Sequence, residues 1–289
     1  MYKAAADRFG RTRIGGLYPV KVAGYCVARL AAVKKVETNG YTLYLDPVDS
    51  QRIALRGEYE PFTTELVRRL LGPGDVAVDL GANIGYYTML FSQIVERDGR
   101  VFAFEPDPDN FALLEKNIAI NHAENVVAVR RAVSDLPGLV RLYKERFNFA
   151  THSLWASAHT RSHVDVEAIR MDDFAREHVE HLKRIRLIKM DIEGAEAHAL
   201  RGMGAVLAAN PGVAIISEFL PNVLRNLGTE PIEYLMMLQS LGFAVYDIDQ
   251  KQQKLIQKPF AALCDDYDRT LTDLLCLRSP VPAIASYIR

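Results

Sequence analysis

From Val76 onward, short runs of hydrophobic residues alternate with stretches of helix length whose apolar positions fall on one face. Such alternation is typical of β–α–β units, in which helices join parallel strands. It predicts an α/β protein with a parallel sheet. Residues 1–56 stand outside the pattern and are predicted to form an N-terminal extension or cover, with the main domain at residues 57–289.

The predicted strands share a short apolar core. They cover residues 41–45, 76–80, 101–105, 125–130, 139–143, 164–170, 185–190, 213–217, 243–248 and 272–277. The predicted helices share an amphipathic face, and they cover residues 84–95, 107–121, 194–209 and 231–241. Residues 147–163 are polar and interrupt the alternation, which predicts a long loop.

The turn after strand 76–80 has the sequence Asp79-Leu-Gly-Ala-Asn-Ile-Gly85. Gly81 permits a tight turn, and free N–H groups at the start of the next helix favour an anionic group. A dinucleotide-binding turn has glycine at the position of Asn83, because a side chain there crowds the pyrophosphate. Asp79 suits a cationic ligand better than a pyrophosphate.

Glu105 ends the next strand, 24 residues after Gly81. An acid at this distance from the glycine turn is placed to accept hydrogen bonds from both ribose hydroxyls. The turn and the acid together indicate an adenosine-containing ligand without a pyrophosphate. S-adenosylmethionine fits this description, since its ammonium and sulfonium suit Asp79 and its ribose suits Glu105.

A third group of charged residues follows strand 185–190, where Asp191, Glu193 and Glu196 come close together with Lys189 beside them. In open α/β sheets the ligand crevice lies outside the carboxyl ends of the strands. These acids are therefore candidates for the reacting centre. For Glu193 and Glu196 a second interpretation stays open, that they only stabilise a helix N-terminus.

Four segments in this order resemble the FkbM-type S-adenosylmethionine-dependent methyltransferases. They are residues 79–85, Phe104-Glu-Pro-Asp-Pro108, residues 117–121 and Lys189-Met-Asp-Ile-Glu-Gly-Ala-Glu196. The resemblance extends over residues 57–243. It implies a class I methyltransferase fold, a Rossmann-like, seven-stranded and mostly parallel sheet with helices on both faces, in which 272–277 is the antiparallel last strand. It also implies O-methylation of a small-molecule or saccharide hydroxyl.

The resemblance further implies a set of cofactor contacts. The methionine end would contact Asp79, Gly81, Ala82, Asn83 and Gly85. The ribose would contact Glu105 and Pro106, and the adenine would lie beside Val133, Ser134 and Asp135. Asp191 would face the sulfonium methyl group, and Glu218 would lie across the crevice.

A hydroxyl acceptor must lose a proton, which calls for a base or a metal. Asp191 is the first candidate for the base, and His152 in the loop is the second. The spacing of His152, His159 and His163 fits no common zinc pattern, so no metal site is predicted and metal dependence stays open. The loop 147–163 is predicted to act as a mobile lid over the acceptor.

Composition narrows the function further. The 289 residues contain 35 Lys+Arg and 36 Asp+Glu, a net charge of −1 that argues against nucleic-acid binding. Lys21 and Arg29 interrupt the apolar stretch 17–33, which predicts an amphipathic helix and no membrane span. The three cysteines stand singly, as in a reduced cytoplasmic protein.

An NAD-linked oxidoreductase and a non-catalytic nucleoside-binding module stay as alternatives, and the oligomeric state is open.

Overall fold

The computed structural model describes residues 33–145, 153–156 and 160–289. The described strands are β1 Lys35–Thr38, β2 Tyr41–Tyr44, β3 Val76–Leu80, β4 Arg100–Phe104, β5 Val126–Val129, β6 Ala132–Val133, β7 Gly138–Glu145, β8 Thr160–Ile169, β9 Ile185–Met190, β10 Ala214–Phe219, β11 Ala244–Asp249, β12 Lys254–Ile256 and β13 Thr272–Leu277. The helix predicted over residues 17–33 lies, except for Val33, outside the described residues.

The described α-helices are α1 Ile53–Arg56, α2 Pro61–Leu70, α3 Tyr86–Val95, α4 Pro108–Ile120, α5 Met171–Glu177, α6 Val179–Leu182, α7 Glu196–Arg201, α8 Gly204–Ala209, α9 Pro221–Asn226, α10 Pro231–Ser240 and α11 Phe260–Asp266. A 3₁₀ helix, Pro282–Tyr287, follows the last strand. The Asp107 carboxylate caps α4 by accepting the N–H groups of Asp109 and Asn110, as expected for an acid at this position.

The central sheet has the strand order β12-β11-β13-β10-β9-β3-β4-β5. Strands β5, β4, β3, β9 and β10 run parallel, whereas β13 is antiparallel to both β10 and β11. This confirms the predicted class I methyltransferase architecture, with residues 272–277 as the antiparallel strand. A short eighth strand, β12, extends the edge. The strand order reverses between β3 and β9, where ligands bind in sheets of this kind.

Successive side chains of β3 enter different cores, because side chains along a strand alternate between the two faces of a sheet. Val76, Val78 and Leu80 join the core beneath α5 and α7 to α11. Ala77 joins the core on the opposite face, with side chains from α2, α3 and the hairpin β1–β2. Helices therefore cover both faces, as predicted.

The hairpin β1–β2 is attached to the main domain through two asparagine side chains, one within α4 and one directly after it. Asn117 Oδ1 accepts the N–H of Tyr44 at 2.7 Å, and Asn121 Oδ1 accepts the N–H of Thr42 at 2.8 Å. Their amide groups donate in return to the carbonyl oxygens of the same two residues. Asn117 also donates to the carbonyl oxygen of Ile84 at 2.7 Å and thereby supports the glycine turn.

Strands β6, β8 and β7 form a separate three-stranded sheet. The predicted loop 147–163 is wrong at its C-terminal end, because residues 160–163 belong to β8 and pair with β7. Polar side chains are found where β7 and β8 pair, because one side of these two strands faces solvent. The described part of the chain does not include residues 146–152 and 157–159. The prediction that this loop acts as a lid concerns these residues and stays a prediction.

The helix predicted over residues 194–209 is two helices, α7 and α8, which is a correction to the sequence analysis. The break falls at Gly202, whose carbonyl oxygen accepts the N–H of Asp172 at 3.0 Å. The Asp172 carboxylate accepts the N–H of Val206 at 3.0 Å and thereby supports the start of α8. A Cβ on Gly202 would collide with the carbonyl oxygen of Ser134, so the glycine permits this close approach.

This explanation predicts opposite effects for two neighbouring substitutions. Gly202→Ala should lower the free energy of unfolding by roughly 1–3 kcal/mol, the usual cost of an extra methyl group in a filled site. Gly204→Ala should raise it by roughly 0.5–1 kcal/mol, because Gly204 begins α8 with open space around its Cα and alanine favours helix. Urea denaturation of both variants measures this, and a neutral Gly202→Ala would contradict the proposed cause of the break.

Candidate active site

A cavity of about 340 Å³ opens at the carboxyl ends of β3, β4, β9 and β10. Seven of the predicted site residues line it: Gly81, Asn83, Glu105, Pro106, Val133, Asp191 and Glu218. The cavity lining does not include Asp79, Ala82, Gly85, Ser134 or Asp135. His152 lies outside the described residues.

The glycine turn holds the ends of three strands together. Gly81 has φ +80°, and a Cβ there would collide with the carbonyl oxygen of Asp191, so only glycine fits. The N–H groups of Gly81 and Ala82 both donate to the carbonyl oxygen of Phe104 at 2.9 Å. The turn therefore fixes the position of Asp191 after β9 relative to the end of β4.

Glu105 is buried beside this turn. Its Oε2 accepts the N–H of Asn83 and its Oε1 accepts the N–H of Asp107, both at 2.8 Å. Burial raises the pKa of Glu105 to about 8, against the lowering effect of the two backbone N–H groups. The two backbone bonds fix the carboxylate while its remaining lone pairs can accept hydroxyl groups from a ligand.

Asp79 is fully buried at the end of β3. The hydroxyl group of Thr88 donates to its Oδ2 at 2.6 Å. Burial raises the pKa of Asp79 to about 6, although the Thr88 hydrogen bond and the charge of Lys189 oppose the shift. In this arrangement Asp79 supports the start of α3 from below the turn, and its predicted contact with the cofactor stays a prediction.

Lys189 is a buried cation, and its Nζ lies 2.8 Å from Asp191 Oδ2. The ammonium lies 4.6 Å from the ring centre of Tyr87, whose hydroxyl group donates to Glu60 at 2.7 Å. Burial opposes the charge on Lys189, but Asp191, Glu60 and Asp273 together raise its pKa above the usual value. Lys189 therefore stays protonated and holds the Asp191 carboxylate in place.

Three carboxylates meet at the cavity wall, because Asp191, Glu193 and Glu218 each offer an oxygen within 4.8 Å of the others. Glu218 is 7% exposed, and its Oε2 has no hydrogen-bond partner among the described residues. Burial raises the pKa of Glu218 well above its usual value, and the charges of Asp191 and Glu193 add to the shift. The site concentrates negative charge beside the glycine turn.

Glu196 differs from these three. It is fully buried, and its Oε1 accepts the N–H groups of Ile192 and Gly194 at 3.1 and 3.3 Å. Burial raises its pKa to about 7. Of the two interpretations left open for Glu196, these bonds favour the structural one, because Glu196 begins α7 and its carboxylate holds the backbone just before this helix.

The family described as the methyltransferase FkbM domain matches residues 79–245, which is more than half of the chain. The chain belongs to the FkbM methyltransferase family. The enzyme class and the cofactor predicted from the sequence, a methyltransferase that uses S-adenosylmethionine, are confirmed. The family match also decides against the NAD-linked and the non-catalytic alternatives.

Three curated relatives are similar to this FkbM-family chain. Methyltransferase 1 of Beauveria bassiana is 27% identical over 194 residues, which are 60% of this chain and 77% of the relative. The 31-O-demethyl-FK506 methyltransferase FkbM of Streptomyces tacrolimicus is 44% identical over 72 residues, 25% of this chain and 27% of the relative. The hexuronic acid methyltransferase AglP of Haloferax volcanii is 28% identical over 153 residues, 52% of this chain and 57% of the relative. For the Streptomyces and Haloferax proteins, the aligned region is less than two thirds of the relative's own length.

The three residues of the FkbM-family chain that are predicted to contact the adenine differ in their position relative to the cavity. Val133 lines the cavity. Ser134 and Asp135 lie outside the lining, where the Ser134 hydroxyl group donates to Asp135 at 3.2 Å and His198 Nδ1 lies 3.1 Å from the same carboxylate. The role of these two residues at the adenine stays a prediction.

Sequence reasoning missed the part of the lining that comes from outside the β–α–β units. Ser50, Gln51 and Tyr59 precede β3, and Leu271 precedes β13. They form no local motif, because tertiary packing alone brings them to the cavity.

None of the described helices is long and apolar enough to cross a bilayer.

The site geometry predicts that Glu105→Ala weakens the binding of S-adenosylhomocysteine. Loss of a hydrogen bond to a charged group costs ~1.5–3 kcal/mol, so the dissociation constant should rise roughly 10- to 150-fold by calorimetry. Glu124→Ala is the matched control, since Glu124 is exposed beyond α4. Equal affinity of wild type and Glu105→Ala, with both folded, would remove Glu105 from the cofactor site.

Proposed function

We propose that this protein transfers the methyl group of S-adenosylmethionine to a hydroxyl oxygen of a small molecule or a saccharide. The observation that carries the proposal is the shared cavity, whose lining contains both Glu105 and the three carboxylates of Asp191, Glu193 and Glu218. Glu105 suits a ribose, and the three carboxylates can receive both a sulfonium cation and the proton that a hydroxyl group releases.

In the proposed complex the ribose hydroxyls donate to Glu105, and the methionine end lies along Gly81 and Asn83. The sulfonium then points toward Asp191, which directly follows β9. The rest of the cavity is left for the acceptor. The lining also includes the polar side chains Ser50 and Gln51 and the apolar side chains Leu154, Leu220 and Leu271.

The transfer is an in-line displacement. The acceptor oxygen attacks the methyl carbon, the carbon–sulfur bond breaks, and its electron pair stays on sulfur in the neutral product S-adenosylhomocysteine. The hydroxyl proton passes to a carboxylate, for which Asp191 is the first candidate. Lys189 engages Oδ2 of Asp191 and fixes the side chain, so that Oδ1 remains for the proton. His152 stays the second candidate.

Positioning supplies much of the rate acceleration in such a reaction, because no covalent intermediate is needed. The buried ion pair and the glycine turn provide a rigid wall against which the methyl group can be aligned. A nucleic acid would bring phosphates close to three carboxylates, so a small acceptor is favoured. A cytoplasmic location stays a prediction from the sequence.

The direct test uses S-adenosylmethionine with a ¹³C-labelled methyl group and a panel of polyketide and saccharide alcohols. We expect NMR to show the label bound to oxygen in at least one product. Asp191→Asn should lower kcat by the ~10²–10⁴-fold that general-base catalysis contributes, with little change in S-adenosylhomocysteine affinity.

Asp98→Asn is the control, because Asp98 is exposed in the turn before β4. Transfer of the label only to nitrogen or carbon acceptors would contradict the proposed reaction. Wild-type turnover in Asp191→Asn would exclude Asp191 as the base.

A further inference from the structure

The three carboxylates at the cavity wall form a candidate site for a metal ion. We infer that Asp191, Glu193 and Glu218 bind a divalent cation with oxygen preference, such as Mg²⁺ or Mn²⁺, beside the acceptor hydroxyl. The inference rests on the proposed function for the identity of that hydroxyl, but the binding itself does not depend on it.

Strand pairing places two of the ligands rigidly. Asp191 directly follows β9 and Glu218 belongs to the neighbouring parallel strand β10, where Ser217 pairs with Met190. Glu193 lies two residues beyond Asp191 in the turn. The three oxygens lie within 4.8 Å of one another. Hard cations bind oxygen at about 2.0–2.6 Å, which places ligand oxygens up to about 4–5 Å apart, so one ion can reach all three.

The unpartnered oxygen of Glu218 is the second observation. A buried polar atom without a partner costs roughly 1–3 kcal/mol. Asp79 and Glu105 avoid this cost, because Thr88 donates to Asp79 and two backbone N–H groups donate to Glu105. Glu196 Oε2 also has no partner among the described residues, but Glu196 does not line the cavity. The hydroxyl group nearest to Glu218 in sequence, that of Ser217, bonds to Tyr234 at 2.6 Å instead. A cation would supply the missing partner.

The charge balance favours a divalent ion over the cofactor's sulfonium alone. Lys189 is the only Lys or Arg that is buried in the described part of the chain, and its ammonium is engaged by Asp191. Glu218, in contrast, has an oxygen with no hydrogen-bond partner among the described residues. A sulfonium carries one positive charge and no N–H or O–H to donate. Carboxylates without nitrogen or sulfur ligands are the donor set of Mg²⁺, Mn²⁺ and Ca²⁺.

A cation at this position would act on the acceptor. A hydroxyl group that coordinates a divalent cation loses its proton more readily, because the positive charge stabilises the oxyanion. With the ion bound, Asp191 is a ligand and no longer the base, and the hydroxyl proton passes to solvent water instead, which reaches the half-buried Glu193. The protein's part is to hold the three oxygens at the ends of adjacent strands.

The test is a calorimetric titration of the chelator-treated, full-length protein with MnCl₂. We expect one saturable site per chain, and at least tenfold weaker Mn²⁺ binding in Glu218→Gln and in Glu193→Gln. Glu115→Gln, on the exposed side of α4, is the matched control and should bind Mn²⁺ like the wild type. Far-UV circular dichroism and urea denaturation like those of the wild type show that the variants are folded.

Absence of saturable Mn²⁺ binding to the wild type would overturn the inference, as would equal binding by the wild type and both site variants. The methyl-transfer assay with and without chelator separates this result from the proposed function. Undiminished O-methylation in chelator would refute the role of a metal while the proposed function stands. A third outcome is that Glu218→Gln loses Mn²⁺ binding while the wild type transfers no methyl group to any hydroxyl acceptor. This outcome would support the metal site and contradict the proposed function.

Discussion

The buried ion pair between Lys189 and Asp191 is the interaction on which the rest of the site depends. Lys189 lies within the central strand β9 with almost no exposed surface, so it needs a carboxylate partner close by. That partner is Asp191, whose carbonyl oxygen in turn packs against Gly81. Removal of the Asp191 charge would leave the buried ammonium of Lys189 with only the charges of Glu60 and Asp273, which destabilises the folded protein. The pair thus links the stability of the sheet to the geometry of the cavity.

Acidic side chains are concentrated near this pair and the glycine turn. Asp79, Glu105 and Glu218 are buried, and burial raises the pKa of each. Such an arrangement is unfavourable for the empty protein, since charged forms are costly where water is excluded. It becomes favourable when a cationic ligand arrives. In the proposed function, binding of a positively charged ligand offsets this cost in stability, a trade-off that is common at functional sites.

Local patterns predicted much of this arrangement. Strands β9 and β13 have their predicted bounds, and the acids at strand ends, Glu105 and Asp191, line the cavity as expected from the position of ligand crevices. The hairpin β1–β2 was only half predicted, although Asn39 and Gly40, both with positive φ, form a two-residue turn that signals it. Side-chain partners such as Thr88 for Asp79, and lining residues such as Gln51, depend on contacts between distant segments, which no local pattern contains.

The central claim is that buried, partly protonated carboxylates receive a cationic cofactor, and proton release on binding tests it most directly. Hydrogen bonds from the ribose and the nearby sulfonium favour the ionised forms, so binding should lower the pKa of Glu105 from about 8 and release protons near pH 7. Calorimetry in buffers of different ionisation enthalpy measures this release. We expect it to be larger for S-adenosylmethionine than for S-adenosylhomocysteine and to decrease in Glu105→Ala. Binding without proton release, or with proton uptake, would contradict the account.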